Sequence, residues 1–95
     1  MIIDRLSIKE IIKSISVYNR RYLIIAGCII DDNIILVNGR FDIIKIDKSW
    51  FPANKLTKPN FNSFEIIDHG NTLKFGDYEA ASDVIICEYE ILNKK

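Results

Sequence analysis

Few residues of this chain have the types and spacing that acid–base chemistry needs. His69 is the only histidine among the 95 residues, and it lies in a short polar segment, Asp68-His69-Gly70-Asn71. A general base needs a second group that positions it, and adjacent residues of a turn seldom present both side chains to one substrate. We therefore expect His69 to be an exposed turn residue, and we predict no catalytic residue in this chain.

Carboxylates and thiols could in principle hold a metal ion. Asp77, Glu79 and Asp83 are of the right type for a cation site or an acid/base pair, but they lack the ligand number and central glycine of a calcium loop. Cys28 and Cys87 are too few for a zinc site, and both lie in apolar runs typical of buried free thiols in a reducing compartment. We predict no metal site and no cofactor.

Sequence motifs of common enzymes are also missing from the chain. It contains no phosphate-binding P-loop, no dinucleotide-binding glycine fingerprint and no Gly-x-Ser-x-Gly nucleophile elbow. The sequence therefore predicts a protein that is not an enzyme.

Two groups of residues could instead bind a macromolecule. Tryptophan and arginine are common anchors of protein interfaces, so Arg40, Trp50 and Phe51 form the predicted partner-binding site. An alternative site would bind nucleic acid, with basic residues on phosphates and Tyr18 and Tyr22 stacking on bases. Its basic residues are Lys9, Lys13, Arg20 and Arg21.

The charge distribution is polarised although the chain has no net charge. Residues 1–30 contain five basic and two acidic residues, or +3, and residues 61–95 contain three basic and seven acidic residues, or −4. Such polarity can steer a charged partner, or it can let the two ends attract each other within the fold. The overall balance is not that of a dedicated DNA-binding domain.

Spacing and turn signals predict the N-terminal elements that position these residues. Ser7 and Glu10 form a capping box, and isoleucines follow at helical spacing, which predicts a helix over residues 8–17 with one apolar face. The isoleucines are Ile8, Ile11, Ile12 and Ile15. The continuous apolar run over residues 22–30 predicts a buried strand.

Asn38-Gly39 predicts a hairpin with a two-residue type I′ turn. This turn would pair Val37 with Arg40 and Leu36 with Phe41. One apolar face of the hairpin would then consist of Ile34, Leu36, Phe41 and Ile43.

The second half of the chain predicts another hairpin and an edge strand. Pro52 ends the preceding strand, and Thr57 predicts a short helical turn through Pro59 and Phe61. Residues 64–67 and 72–75 predict a second hairpin around residues 68–71, and residues 79–83 predict a helical turn. Residues 84–91 alternate like an edge strand whose apolar row is Ile85, Cys87, Tyr89 and Ile91, with Glu88 and Glu90 opposite.

These elements predict one α+β domain over residues 1–95. Its N-terminal helix would pack on a small antiparallel sheet of about five strands, with a short helical turn between two hairpins. The length suits a single domain, and twenty isoleucines favour sheet. Because no apolar stretch is long enough for a membrane span and no signal peptide is evident, we expect a cytoplasmic protein that does not bind membranes.

Residues 31–80 resemble one bacterial family, domain of unknown function 2442. The resemblance rests on Asn38-Gly39-Arg40, on Trp50-Phe51-Pro52, and on Phe64-Glu65-Ile66-Ile67 followed by Gly70 and Leu73-x-Phe75. Phe75 stands where the family has tryptophan, and residues 1–30 would add the helix and the first strand. The resemblance implies a compact α+β fold and an antitoxin-like or partner-binding role, in proteins often encoded on mobile elements.

We therefore expect a non-enzymatic interaction module that binds and restrains a protein partner. Two alternatives are nucleic-acid binding through the N-terminal basic face and sequestration of a small ligand between helix and sheet. Residues 84–91 further predict a homodimer, because an edge strand offers unpaired backbone groups to a second chain. If that strand were paired on both sides, the protein would instead be monomeric.

Overall fold

Two antiparallel sheets and two α-helices make up the computed structural model, which describes residues 2–54 and 56–93. The first sheet has the order β1-β2-β3-β4: Ile2–Arg5, Ile24–Ile30, Asn33–Asn38 and Ile43–Asp47. The second has the order β5-β6-β7: Glu65–Ile67, Thr72–Phe75 and Tyr78–Ala81. The helices are α1, Ile8–Ile15, and α2, Ser82–Asn93, and short 3₁₀ turns span Arg20–Tyr22, Lys48–Asn54 and Asp68–Gly70.

The predicted α+β class, with the N-terminal helix packed on a sheet, is confirmed. The described residues form seven strands rather than about five. One unpredicted strand is β1, which is only four residues long and is held by pairing with β2 from Ile2↔Ile29 to Arg5↔Ala26. Both sheets are meanders in which each strand pairs only with its neighbours in sequence.

The core lies between the two sheets and α2. Burial alternates along β3, where Ile34 and Leu36 are fully buried and Ile35 and Val37 are not. This alternation is the signature of a strand with one face toward the core. The first sheet therefore has a core face and an outer face. The two sheets are also joined by the backbone N–H of Ile66, which donates to Asp4 Oδ2 at 2.7 Å.

The first hairpin differs from the predicted one in its turn and register. Val37 pairs with Ile43 rather than with Arg40, and the turn is a three-residue loop with Phe41 at a φ of 64°. The three-residue shift in register reverses the faces of β4. Phe41 and Ile43 are consequently 59% and 74% exposed, and Ile44 and Ile46 take the predicted places on the core face beside Ile34 and Leu36.

The buried side chain of Asn38 explains the longer loop. Its Nδ2 donates to the carbonyl oxygen of Arg21 at 3.0 Å and to Asp42 Oδ2 at 3.2 Å. Its Oδ1 accepts from the backbone N–H groups of Arg40 at 3.0 Å and of Asp42 at 2.9 Å. Asn38 is therefore the last residue of β3, where it connects the loop to the Arg20–Tyr22 turn, and it is not the first residue of a type I′ turn.

Gly39 lies against the Arg20–Tyr22 turn, which predicts a cost for any side chain at this position. Its N–H donates to the carbonyl oxygens of Arg20 and Leu23 at 2.9 and 2.8 Å, and an added Cβ would lie 2.8 Å from Arg20 O and Arg20 Cβ. Because its φ is not positive, the cost comes from close contact and not from the left-handed conformation that the sequence predicts. We expect Gly39→Ala to lower the free energy of unfolding by about 1–3 kcal/mol in urea titration.

Arg40→Ala, at the exposed next position of the same loop, is the control for this prediction. A surface substitution of this kind should change the free energy of unfolding by less than about 0.5 kcal/mol. Equal stabilities of the two variants would contradict the close approach of Gly39 to Arg20.

The second hairpin forms where the sequence predicts it. β5 pairs with β6 from Glu65↔Lys74 to Ile67↔Thr72, and residues 68–71 make the connection. The helical turn between the two hairpins lies at Lys48–Asn54, and the predicted position at residues 57–61 is wrong.

The C-terminal segment reverses the predicted order of strand and helix. Residues 78–81 form β7, which pairs with β6, and residues 82–93 form α2. Ile85 and Ile86 are buried and Tyr89 packs against the core, which is the spacing of one helix face. Ile85 and Tyr89 also lie an even number of residues apart, so the same residues fit the alternation of a strand. The predicted edge strand at residues 84–91 is therefore wrong, and a homodimer loses the strand on which it was based. The side chain of Ile91 lies outside the described residues.

Candidate functional site

Helix α1 carries three isoleucines that face solvent. Ile8, Ile12 and Ile15 are 64%, 63% and 41% exposed, and their spacing of four and three residues places them on one stripe of the helix. Of the predicted apolar face, Ile11 packs against the core, and Ser14 is the buried residue of α1. The face that carries most of the isoleucines is therefore not the face that packs. We call Ile8, Ile12 and Ile15 the α1 stripe.

The polar side chains of α1 make contacts within the helix and one contact with the His69 turn. The predicted capping box is present: Ser7 Oγ accepts from the backbone N–H of Glu10 at 3.2 Å and donates to Glu10 Oε1 at 3.0 Å. Glu10 Oε2 lies 3.0 Å from His69 Nδ1. Ser14 Oγ donates to the carbonyl oxygen of Ile11 at 2.7 Å, so this side chain is buried with its hydroxyl satisfied. The contact of Glu10 with His69 therefore joins one flank of α1 to the rest of the chain, and the α1 stripe lies on the solvent side.

His69 is an exposed turn residue, as predicted. Asp68, His69 and Gly70 have φ values of 53°, 55° and 92°, and the side chain of His69 is 81% exposed. The hydrogen bond from His69, followed by those from Ser7, lowers the pKa of Glu10 below its ordinary value. The contact of Nδ1 with Glu10 orients the imidazole, whose exposed ring is not enclosed with a substrate.

A pocket of about 260 Å³ lies between α1 and the His69 turn. It is lined by Glu10, Lys13, Ser14, Val17, Leu23, His69 and Asn71. Pockets that bind cofactors and drug-sized ligands measure roughly 300–1,000 Å³. By its volume, this pocket suits only a ligand smaller than those.

Three arginines line a second, more open cleft of about 470 Å³. Arg20 and Arg21 come from the Arg20–Tyr22 turn and Arg40 from the first hairpin loop, and Tyr18 and Tyr22 join them. Arg20 donates to the carbonyl oxygen of Ile15 at 2.9 Å and so caps the end of α1. Two of the three guanidinium groups are engaged within the chain, because Arg21 pairs with a carboxylate of α2.

That carboxylate is Glu90, and its hydrogen bond raises the pKa of Arg21 further. Arg21 also lies over the ring of Tyr22, at 5.4 Å from its centroid. Lys9 and Lys13, the other predicted nucleic-acid contacts, are exposed on α1 and do not line the arginine cleft.

The three predicted partner-binding residues do not share one surface. Arg40 precedes β4 and lines the arginine cleft, whereas Trp50 and Phe51 follow β4. Phe51 is 2% exposed, and its carbonyl oxygen accepts from the hydroxyl of Tyr78 at 3.0 Å, so it belongs to the core. Trp50 is half-buried, with ring centroids 5.2 Å from Phe51 and 5.7 Å from Tyr89.

Within the described residues, Trp50 Nε1 is shielded from solvent and has no hydrogen-bond acceptor.

Asp77, Glu79 and Asp83 are all exposed, and Asp83 Oδ1 accepts from the N–H of Val84 at 2.8 Å. Cys28 and Cys87 are free and half-buried. Among residues 2–54 and 56–93, no three histidine, cysteine or acidic side chains group as a metal site requires. In the same ranges, no helix is long and apolar enough to span a bilayer.

Sequence reasoning identified the isoleucines of α1 but not the direction in which they point. Ile11 belongs both to the isoleucine face and to the flank that packs, so the spacing fits either rotation of the helix. The contact between Glu10 and His69 distinguishes the two rotations, and it joins residues 59 positions apart.

No family model, curated protein or solved structure matches this chain. The resemblance of residues 31–80 to domain of unknown function 2442 stays a prediction from motifs. The surface of the chain itself therefore carries the functional interpretation.

Proposed function

We propose that this chain is a non-enzymatic interaction module that binds a protein partner through the α1 stripe. The observation that carries the proposal is the outward direction of Ile8, Ile12 and Ile15 on a helix whose other flank carries the buried Ser14 and the contact of Glu10 with His69. Contiguous exposed apolar side chains mark interaction sites on soluble proteins. Anchors spaced by three and four residues are those that a helix inserts into an apolar groove.

The charges beside the stripe indicate the chemistry of the partner. Lys9 and Lys13 are exposed one turn apart on α1, next to the isoleucines. Interfaces commonly combine an apolar centre with a charged rim of complementary sign. The fitting partner has an apolar groove with carboxylates along one border. The predictions that the chain restrains its partner, that it acts like an antitoxin and that a mobile element encodes it derive only from the family resemblance.

A double substitution, Ile8→Ser with Ile12→Ser, is expected to remove binding without loss of stability. Both side chains are more than 60% exposed, so the free energy of unfolding should change by less than about 1 kcal/mol. Two interface anchors are worth roughly 2–4 kcal/mol, which corresponds to about a 30- to 1,000-fold loss of affinity. The measurement is titration of the purified partner that wild-type protein retains stoichiometrically from host extract.

Val84→Ser provides a matched control, because Val84 is a 47%-exposed apolar residue on α2. It should bind the partner with wild-type affinity. The proposal fails if no stoichiometric protein is retained, or if the double variant binds that protein as tightly as the control.

The arginine cleft favours a second candidate function, the binding of single-stranded nucleic acid. Arg40 joins Arg20 and Arg21 there, and Tyr18 is 97% exposed, which suits stacking on a base. Because Arg20 and Arg21 are already engaged, few phosphate contacts are free, and binding should disappear between low and physiological salt. Gel shifts of wild type and Arg40→Ala with single-stranded DNA and RNA at both salt concentrations test this candidate.

A further inference from the structure

The outer face of the first sheet carries adjoining apolar side chains on all four strands, with Lys45 between Ile43 and Asp47 on the edge strand β4. Six adjoining positions carry Ile3, Ala26, Cys28, Ile35, Val37 and Ile43. None of these side chains is buried, and Ile3 and Ile43 on the edge strands are 61% and 74% exposed. Antiparallel sheets that turn one face to water usually carry polar residues there. A contiguous apolar face of this kind indicates a surface that another molecule covers.

The strand register arranges this face in rows. One row runs Arg5–Ala26–Val37–Ile43, the next Ile3–Cys28–Ile35–Lys45, and the third Ile30–Asn33–Asp47. Arg5 and Asp47 therefore occupy diagonally opposite corners of the face. The usual strand spacing and rise per residue put these corners roughly 20 Å from each other. The charges at these two corners are of opposite sign.

This placement of charges makes the face complementary to itself. In one of the two common modes of sheet packing, the strands of two facing sheets cross at nearly 90°. The other diagonal of the face runs from the corner of Ile43 toward Ile30. A two-fold axis along this diagonal exchanges the corner of Arg5 with that of Asp47, and it makes the strands of the two copies cross at nearly 90°. Arg5 of each protomer then meets Asp47 of its partner, and the apolar centres meet between them. We propose that a second copy of this chain covers the outer face in this orthogonal arrangement.

Both charged residues hold positions compatible with such a pair. Arg5 is exposed, and its guanidinium donates to the carbonyl oxygen of Leu6 at 3.0 Å, which leaves further N–H groups for a carboxylate. Asp47 is exposed, and its Oδ1 accepts from the N–H of Ser49 at 2.9 Å. That bond lowers the pKa of Asp47, so the carboxylate stays charged at neutral pH.

The size of the face sets the strength of the dimer. Four strands about 4.8 Å apart and about 20 Å long give roughly 400 Å² for each protomer, or about 800 Å² in total. Stable interfaces bury about 1,200–2,000 Å², and smaller ones belong to weak, transient complexes. The dimer is therefore reversible, with a dissociation constant in the micromolar range or above.

Sedimentation equilibrium over a wide range of protein concentration tests the proposal directly. The mass should rise from 11.0 kDa at low concentration toward twice that value. Concentrations from about 10 µM to about 1 mM cover the range of a weak interface. A mass that stays at the monomer value up to the highest concentration would overturn the proposal.

Charge exchange distinguishes the orthogonal arrangement from any other dimer. Arg5→Asp or Asp47→Arg alone turns two attractions into repulsions and should raise the dissociation constant roughly tenfold. The double variant should restore it. Because the two residues lie on distant corners of one protomer, restoration must act between copies. A double variant as weak as either single variant, with unchanged thermal unfolding, would overturn the arrangement.

Cys28 gives an independent measurement, because it is close to the centre of the face. Two facing sheets lie about 10 Å apart, so the two Cys28 thiols come within reach of a short bismaleimide. Covalent dimers should form in wild type and in Cys87→Ser, and should be absent in Cys28→Ser. Cross-linking that depends on Cys87 instead would place the contact at α2 and overturn the proposal. The α1 stripe is untouched by these variants, so the proposed function is tested separately.

Discussion

Replacing Phe75 with alanine is expected to lower the free energy of unfolding by about 3–5 kcal/mol. Phe75 is fully buried, and its ring centroid lies 5.1–6.1 Å from those of Phe51, Phe61, Phe64 and Tyr78. These neighbours come from separate parts of the chain, and Phe51 also contacts Phe61 and Tyr78 directly. A domain is stable by about 5–15 kcal/mol in total, so the variant should lose a large part of its stability.

Phe41→Ala removes the same atoms from a side chain that is 59% exposed, and so serves as the matched control. Its free energy of unfolding in urea should stay within about 1 kcal/mol of wild type. The comparison also tests the register of the first hairpin, because the predicted type I′ turn would place Phe41 in the core. Similar losses for the two variants would contradict the observed register.

Asn38→Ala should have the second-largest effect, a loss of about 2–4 kcal/mol. The substitution leaves the carbonyl oxygen of Arg21 and the N–H groups of Arg40 and Asp42 without their side-chain partner. Asn38 is 1% exposed, so water cannot replace all of these bonds without opening the loop. Urea unfolding measures the loss, and hydrogen exchange at the Gly39 amide should report loosening of the loop from the Arg20–Tyr22 turn.

Asn33→Ala is the control for Asn38→Ala, because Asn33 is the half-exposed first residue of the same strand. It should cost less than about 0.5 kcal/mol. A neutral Asn38→Ala, or one equal to the control, would show that the loop does not depend on the buried amide.

Elements fixed by neighbouring residues could be predicted from the sequence. The capping box of Ser7 and Glu10 begins α1, and the second hairpin closes between Ile67 and Thr72, both as expected. In each case the deciding residues lie within a few positions of one another. Such local residues determine the structure of their segment wherever tertiary contacts do not oppose it.

Elements decided by distant residues were not predictable in this way. The loop of the first hairpin depends on the contact of Asn38 with Arg21, 17 residues earlier, which competes with the local preference of Asn-Gly for a two-residue turn. In the C-terminal segment, Ile85 and Tyr89 fit both an alternating and a helical period. Burial of Ile86 beside Ile85 selects the helix. The tertiary context therefore overrode the local pattern at both places.

The α1 stripe and the outer face of the first sheet also combine local features that the sequence predicts with a direction that distant contacts decide. The isoleucines of α1 are evident from their spacing, but their direction depends on the contact of Glu10 with His69. The apolar outer face of the first sheet could not be recognised before the register was known, because a slip by an odd number of residues moves Ile43 and Lys45 to the opposite face.

The meander order of both sheets has a consequence for the kinetics of folding. Among the described strands, four of the five pairs close over a short loop, and β1 reaches β2 across α1 and the Arg20–Tyr22 turn. Most of the strand pairing therefore forms without bringing distant parts of the chain together. Topologies with such local pairing fold faster than those that join remote strands. On the ribosome, β1 to β4 can pair before β5 has emerged. Packing of the second sheet against the first would then follow, and until it does the isoleucines of the first sheet are open to aggregation.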